Sequence, residues 1–172
     1  LSGDWISATG GFKGRLNPLQ VLPSPRDDEE EPEENRLYRD EGYGINDLAM
    51  HLKNLDIWFG LYLPSLSDMQ KATLKRCLVE LYAQFRIDWD TDILELEAKD
   101  FPVFTDLYLL LKSRAEEQPG EIVYKELLNL LYDLVYGADS FIWNGHSTVA
   151  SSARFLVLDT HCLLYTSPSP RD

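Results

Sequence analysis

Cysteine is scarce: the 172-residue chain has two, Cys77 and Cys162. Two cannot build a disulfide framework or a four-cysteine zinc site. Basic residues are also few, 16 Lys and Arg against 29 Asp and Glu, for a net charge of −13. A field of that sign repels phosphate backbones and argues against wholesale electrostatic binding of nucleic acid. No apolar run reaches the roughly 18–20 residues of a membrane-spanning helix. No basic-then-apolar leader stands at the front, so no secretory signal is expected. What remains is a globular composition, 44% apolar, 12% aromatic and 26% charged. That is enough for one ordinary domain and too little for two.

Both ends read as foreign to a natural chain. It opens at Leu1, in what reads as the middle of a strand. Residues 162–172, Cys162-Leu-Leu-Tyr-Thr-Ser-Pro-Ser-Pro-Arg-Asp172, resemble the translation of a transposon-type sequencing adapter. Such a scar is set aside before the fold is considered. A natural Ser/Pro-rich tail is the other reading. Residues 1–161 are expected to be an internal slice of a longer protein.

Residues 1–22 contain Trp5-Ile6, a Gly10-Gly11 turn and Leu16-Asn17-Pro18-Leu19-Gln20-Val21-Leu22. Short apolar pieces punctuated by glycine and proline read as strands and loops. Residues 23–44 change character, since seven of the eight residues Asp27–Glu34 are acidic. Like charges at this density repel and bury nothing, so a solvated loop is expected ahead of a metal-binding or docking role.

From Ile45 the period becomes helical. Leu48, Leu52, Leu55, Phe59 and Tyr62 form one stripe, capped by Asn46 and stopped by Pro64. Ser67 and Gln70 fit a capping box for a second helix, whose apolar face is Leu74, Cys77, Leu78, Leu81, Tyr82 and Phe85. A third helix is expected from about Thr105 to Pro119-Gly120, and a fourth over Glu121–Tyr136. Residues 45–137 therefore read as one helical subdomain. Within residues 138–161, Phe141-Ile142-Trp143 leads into Asn144-Gly145, a two-residue hairpin signal. Arg154-Phe155-Leu156-Val157-Leu158-Asp159 then reads as a strand covered on both faces, as in a parallel α/β sheet.

Motifs that carry chemistry are incomplete. A phosphate loop needs Gly, four residues, then Gly-Lys and Ser or Thr, and neither Gly10–Arg15 nor Gly11–Gly14 supplies it. Gly42-Tyr43-Gly44 begins like a dinucleotide loop, but Asp47 stands where the third glycine belongs. Asp88, Asp90 and Asp92 alternate like the opening of a calcium loop, yet Ile93 and Lys99 replace its glycine and its bidentate glutamate. Cys77 is expected as a buried packing thiol, and His51 as a solvated residue on the flank of the first helix. Lys71, Lys75 and Arg76 read as a solvated face. His146, beside a turn, stands where function often resides, but no nucleophile or carboxylate accompanies it. No catalytic, cofactor-binding or metal residue is assigned within the chain.

Four blocks in order say more than any single motif. They are Leu16-Asn17-Pro18-Leu19-Gln20-Val21; Phe59-Gly60-Leu61-Tyr62-Leu63-Pro64 with Leu66-Ser67-Asp68; Asp100-Phe101-Pro102-Val103-Phe104-Thr105-Asp106-Leu107-Tyr108; and Gly137–Thr148 followed by Phe155–Thr160. Together they resemble the large ATPase of type IV secretion and conjugative transfer systems, in the form carried by integrative and conjugative elements of Gram-positive bacteria. The resemblance implies an α/β fold, a RecA-like P-loop NTPase domain with an inserted all-α subdomain. It also implies ATP and magnesium as cofactors of the full-length protein, a ring of copies, other secretion components as partners, and a cytoplasmic place at the inner face of the membrane. The phosphate loop is expected upstream of Asn17 and the magnesium carboxylate beyond Asp159, so Asp159 is not assigned that role. Ser147 stands where the family commonly has threonine, and Asp27–Glu34 looks peculiar to this chain. The fragment alone is expected to bind no cofactor. Two other readings are a stand-alone acidic helical interaction module and, with less support, a small hydrolase using His146.

Overall fold

The computed structural model describes residues 4–7, 14–23, 46–148 and 156–159. The acidic segment Asp27–Glu34 and the tail 162–172 lie outside them. In chain order the elements are β1 (Asp4–Ser7), α1 (Asp47–Tyr62), α2 (Asp68–Gln84), α3 (Phe104–Glu117), α4 (Ile122–Leu130), α5 (Tyr132–Tyr136), α6 (Ser140–Trp143) and β2 (Leu156–Asp159). Two single 3-10 turns, Ile93–Glu95 and Ala98–Asp100, join α2 to α3.

The helix boundaries follow their side chains. The Asn46 carboxamide accepts the Ala49 N–H at 2.8 Å and starts α1. Before Pro64, the Leu63 N–H closes on the Phe59 carbonyl at 2.8 Å. At α2 the capping box is complete: Ser67 Oγ accepts the Gln70 N–H at 3.2 Å, and Gln70 Oε1 accepts the Ser67 N–H at 2.9 Å. That pairing satisfies two of the amide groups a helix start leaves open. Asp106 does half of this for α3, its carboxylate accepting the Val103 N–H at 2.8 Å. The C-terminus of α2 closes on a left-handed residue, Arg86 at φ 60°. The Arg86 N–H bonds the Ala83 carbonyl at 3.0 Å and the Ile87 N–H bonds the Tyr82 carbonyl at 2.9 Å. This is a Schellman closure with arginine where glycine is usual, and buried Ile87 supplies its apolar contact.

Helices α2, α3 and α4 pack on one another, with α1 laid along α2 and α5 on α3. Their shared core includes Leu55, Phe59, Leu81, Leu107, Leu111 and Leu127, each at most 3% exposed. The expected apolar face of α2 is therefore the buried one, Cys77 included. The two strands, from opposite ends of the chain, pair in parallel with Asp4 opposite Leu156 and Ser7 opposite Asp159. Parallel neighbours need a long crossover, and the helical unit lies inside it.

Two expectations need correction. The helix expected over Glu121–Tyr136 divides at Leu131, which stays buried at 1% exposure with neither glycine nor proline nearby to announce the break. The expected hairpin strand Phe141-Ile142-Trp143 is instead the helical turn α6. Its Trp143 and Asn144 amides bond the Asp139 and Ser140 carbonyls at 3.0 Å each, and the Ser140 hydroxyl donates to the Gly137 carbonyl at 2.7 Å. Phe141 is 64% exposed, so the alternation that a strand needs is absent. The strand expected over Arg154–Asp159 is found as β2.

The register of α2 can be measured. Leu81→Ala opens a cavity at a residue 1% exposed and is expected to cost about 2–5 kcal/mol. Lys75 holds only an exposed ion pair with Asp56 at 2.8 Å, so Lys75→Ala is expected to change stability by less than about 1 kcal/mol. Denaturant melts of the two variants check this; equal losses would mean that the face is misassigned.

Candidate functional site

Residues of the four sequence blocks, far apart in the chain, meet at one junction against the helical unit, the fourth block through residues 137–148. Its centre is the irregular segment 14–23. Asn17 is 6% exposed and uses every polar group it has. Its Nδ2 donates to the Pro102 carbonyl at 2.8 Å, and its Oδ1 accepts the Leu19 N–H at 3.0 Å. The backbone N–H of Asn17 donates to Ser147 Oγ at 2.9 Å, and its carbonyl accepts the Gln20 N–H at 3.1 Å. The Oδ1 bond two residues ahead is an Asx turn, a geometry that asparagine adopts readily before a proline that has no N–H of its own.

Around that centre the other blocks close in. Arg15 forms a two-bond bridge with Thr148, its N–H donating to Thr148 Oγ1 and its carbonyl accepting the Thr148 N–H, both at 3.1 Å. The Leu16 N–H reaches the Ile142 carbonyl at 3.0 Å. Tyr82 Oη, fully buried, donates to the Leu19 carbonyl at 2.7 Å. Asn144 Oδ1 accepts the Thr105 N–H at 3.0 Å, so the last block caps the first turn of α3. Trp58 stacks on Tyr62 and Phe104 with ring centres 5.0 and 5.5 Å away, and meets Trp143 edge-on at 5.7 Å. The Tyr62 hydroxyl donates to the Asp139 carboxylate. Burial, and then that carboxylate, push the Tyr62 phenol above its usual range.

Gly145 is required here by geometry. Its φ is +137°, and an added Cβ would lie 2.5 Å from Arg15 Nη1. A side chain would be strained at that φ and would collide with the arginine packed over it. The sequence reading took Asn144-Gly145 for a hairpin turn; the glycine is needed, but for a different reason.

His51 corrects another expectation. It is not solvated on the flank of α1: its Nε2 is buried without a hydrogen-bond partner, and its ring lies edge-on to Tyr82 at 6.1 Å. Desolvation lowers its pKa to about 4, and the Pro18 carbonyl beside it offsets this only in part. A cleft of about 310 Å³ runs past His51, Asn54, Trp58 and Trp143.

The remaining candidates are placed elsewhere. His146 is exposed. Cys77 is buried, and desolvation, with the Glu80 carboxylate second, pushes its thiol up to about 11, unsuited to nucleophilic work. Asp88 and Asp92 turn back on their own backbone: Asp88 Oδ1 accepts the Asp90 N–H at 3.0 Å and Asp92 Oδ1 the Leu94 N–H at 3.1 Å. They close a turn and start a helix rather than converge on a cation. Among the described residues no cluster of three His, Cys, Asp or Glu could hold a metal. The junction is thus chiefly a positioning device: most of its donors and acceptors bond one another, and Arg15 Nε, Gln20 Oε1 and His51 Nε2 are the buried side-chain atoms left without a partner among the described residues. Sequence reasoning missed the roles of Arg15, Thr105 and Asn144, although the latter two stand inside the blocks that it singled out.

No protein-family model matches the chain, and no curated protein sequence matches it. Among solved structures it is similar to VirB4 of Thermoanaerobacter pseudethanolicus, with 36% identity and a TM-score of 0.75. The match covers 95% of this chain and 38% of that one, so the chain spans less than two-fifths of the relative's length. The resemblance carried by the four blocks is borne out: the chain is VirB4-like across its described fold.

The half-buried His51, its Nε2 shut away from water, makes stability depend on pH. Its folded pKa, about 4, lies below the unfolded value near 6.5. The unfolded chain therefore binds more protons between these values, and this group's contribution is full above pH ~6.5 and lost as pH falls toward ~4, by up to about 3 kcal/mol. His51→Gln should flatten the fall in stability between about pH 7 and 5. Parallel wild-type and variant curves over that range would show that the ring titrates normally.

Proposed function

We propose that the chain is an internal part of a type IV secretion motor ATPase, one that hydrolyses ATP to power machinery for conjugative transfer. The observation that carries this reading is 36% identity to VirB4 over 95% of the chain, together with the gathering of the four blocks at one junction. On this reading, β1 and β2 are neighbouring parallel strands of a RecA-like sheet, and the helical unit is an insertion in the crossover between them. The junction then acts as a rigid coupling. Movement of the strand ends on nucleotide binding would pass through Asn17, Ser147 and Thr148 to α3 and α1 without loss in a loose hinge.

On this reading the nucleotide site belongs to further parts of the longer protein. None of the glycines here supplies the spacing of a phosphate loop. The chain's own residues, on this reading, hold segment 14–23 on the helical unit, while ATP, magnesium, ring assembly and the other secretion components engage further parts of the longer protein. No helix among the described residues is long and apolar enough to cross a membrane; contact with the inner face of the membrane would come through partners.

Magnesium-dependent ATP turnover, measured on the full-length gene product and on this chain alone, tests the assignment. Turnover is expected of the full-length protein and none of the isolated chain. Turnover by the isolated chain, or none by the full-length protein, would count against it.

A further inference from the structure

The pairing of α1 with α2 leaves a groove between them. Phe59, Leu74 and Leu78, each at most 3% exposed, form its floor, and its volume is about 220 Å³. Gly60 stands at its wall, and a Cβ placed there would meet nothing within 4 Å. The volume is below the roughly 300 Å³ at which sites for drug-sized ligands begin, and suits a few anchoring side chains.

The rim reverses the charge of the rest of the chain. Acidic residues outnumber basic ones 29 to 16 overall, yet the groove is lined by Lys53, Lys71 and Lys75 with Asp56 as its one carboxylate. Asp56 is already engaged by Lys75 at 2.8 Å. Lys53 and Lys71 have no ion-pair partner among the described residues. Two unpaired cations beside an apolar floor complement an occupant with apolar anchors and flanking carboxylates. The lining runs from Leu52 to Gly60 on α1 and from Lys71 to Val79 on α2, about 12 Å along each axis at ~1.5 Å per residue. That is about two turns, the span of anchors at i, i+4 and i+7 on a helix laid in a groove. A nucleic acid would offer the charge but nothing for the floor.

We propose that the α1–α2 groove is a docking site for an acidic amphipathic helix of a partner protein, anchored by apolar side chains over Phe59, Leu74 and Leu78 and held at its rim by Lys53 and Lys71. The groove adjoins the junction through Phe59, whose ring meets Trp58 and Phe104 edge-on at 5.1 and 6.1 Å, but the proposal does not depend on the ATPase reading.

The probe is a fluorescent helical peptide of roughly 14 residues, leucine at i, i+4 and i+7 and glutamate on its flanks, titrated into the whole chain. Binding is expected, weakened about tenfold by the double change Lys53→Glu and Lys71→Glu and weakened by raising salt from about 50 to about 300 mM. Gly60→Leu fills the groove without touching the core and is expected to abolish binding while leaving the melting temperature at or above wild type. Equal binding of a lysine-flanked version, or binding indifferent to both variants, would overturn the proposal. Binding seen only after Asp27–Glu34 are neutralised would overturn it in favour of the chain's own acidic segment. Self-association of the wild type that the same variants remove would overturn it in favour of a second copy.

Discussion

A segment without regular structure can be buried only if its backbone amides and carbonyls find partners away from water. Arg15, Asn17 and Leu19 of segment 14–23 meet that constraint with both backbone groups paired, and the rest of the junction depends on it. Leu19 and Val21, at 0% and 1% exposure, bring no helix or strand ladder with them. Their place in the core rests on Asn17, which closes the turn ahead of it and reaches the Pro102 carbonyl at 2.8 Å, and on Tyr82, which takes the Leu19 carbonyl at 2.7 Å. Replacing Asn17 by an apolar residue would leave Pro102 and Leu19 with unpaired groups in a dry interior, the costly side of hydrogen-bond energetics.

The same constraint explains why blocks so distant in sequence form one unit. Thr105 and Asn144 lie at opposite ends of the α3–α6 stretch, yet the Asn144 carboxamide is the cap of α3. Ser147 and Thr148 serve Asn17 and Arg15 through hydroxyl oxygens. The Ser147 hydroxyl accepts the Asn17 N–H at 2.9 Å. The Asn17 bonds to the Pro102 carbonyl and the Leu19 amide are buried, a low-dielectric setting where each is stronger than in water.

The helical unit was legible because its signals are local. The stripe from Leu48 to Tyr62, the Ser67–Gln70 box and the face from Leu74 to Tyr82 depend on spacing alone, and each is found where spacing places it. What was not legible depends on partners distant in sequence. His51 has the spacing of a flank residue and becomes buried only because Pro18 and Tyr82 close over it. Phe141-Ile142-Trp143 has a strand composition, but the carbonyls of Gly137 to Ser140 draw it into a helical turn. The division at Leu131 has no local signal. Family resemblance found the junction's residues before any geometry did, yet their composition did not disclose that they touch.

The central claim is that segment 14–23 and the helical core stand or fall together through Asn17. Native-state hydrogen exchange at the Leu19 amide, which donates to Asn17 Oδ1 at 3.0 Å, tests it most directly. The account predicts that this amide exchanges only through global unfolding, with the same free energy as the amides at the centre of α2, and that Asn17→Ala gives it a faster, local route. Exchange at Leu19 already fast in the wild type, with α2 still protected, would contradict it.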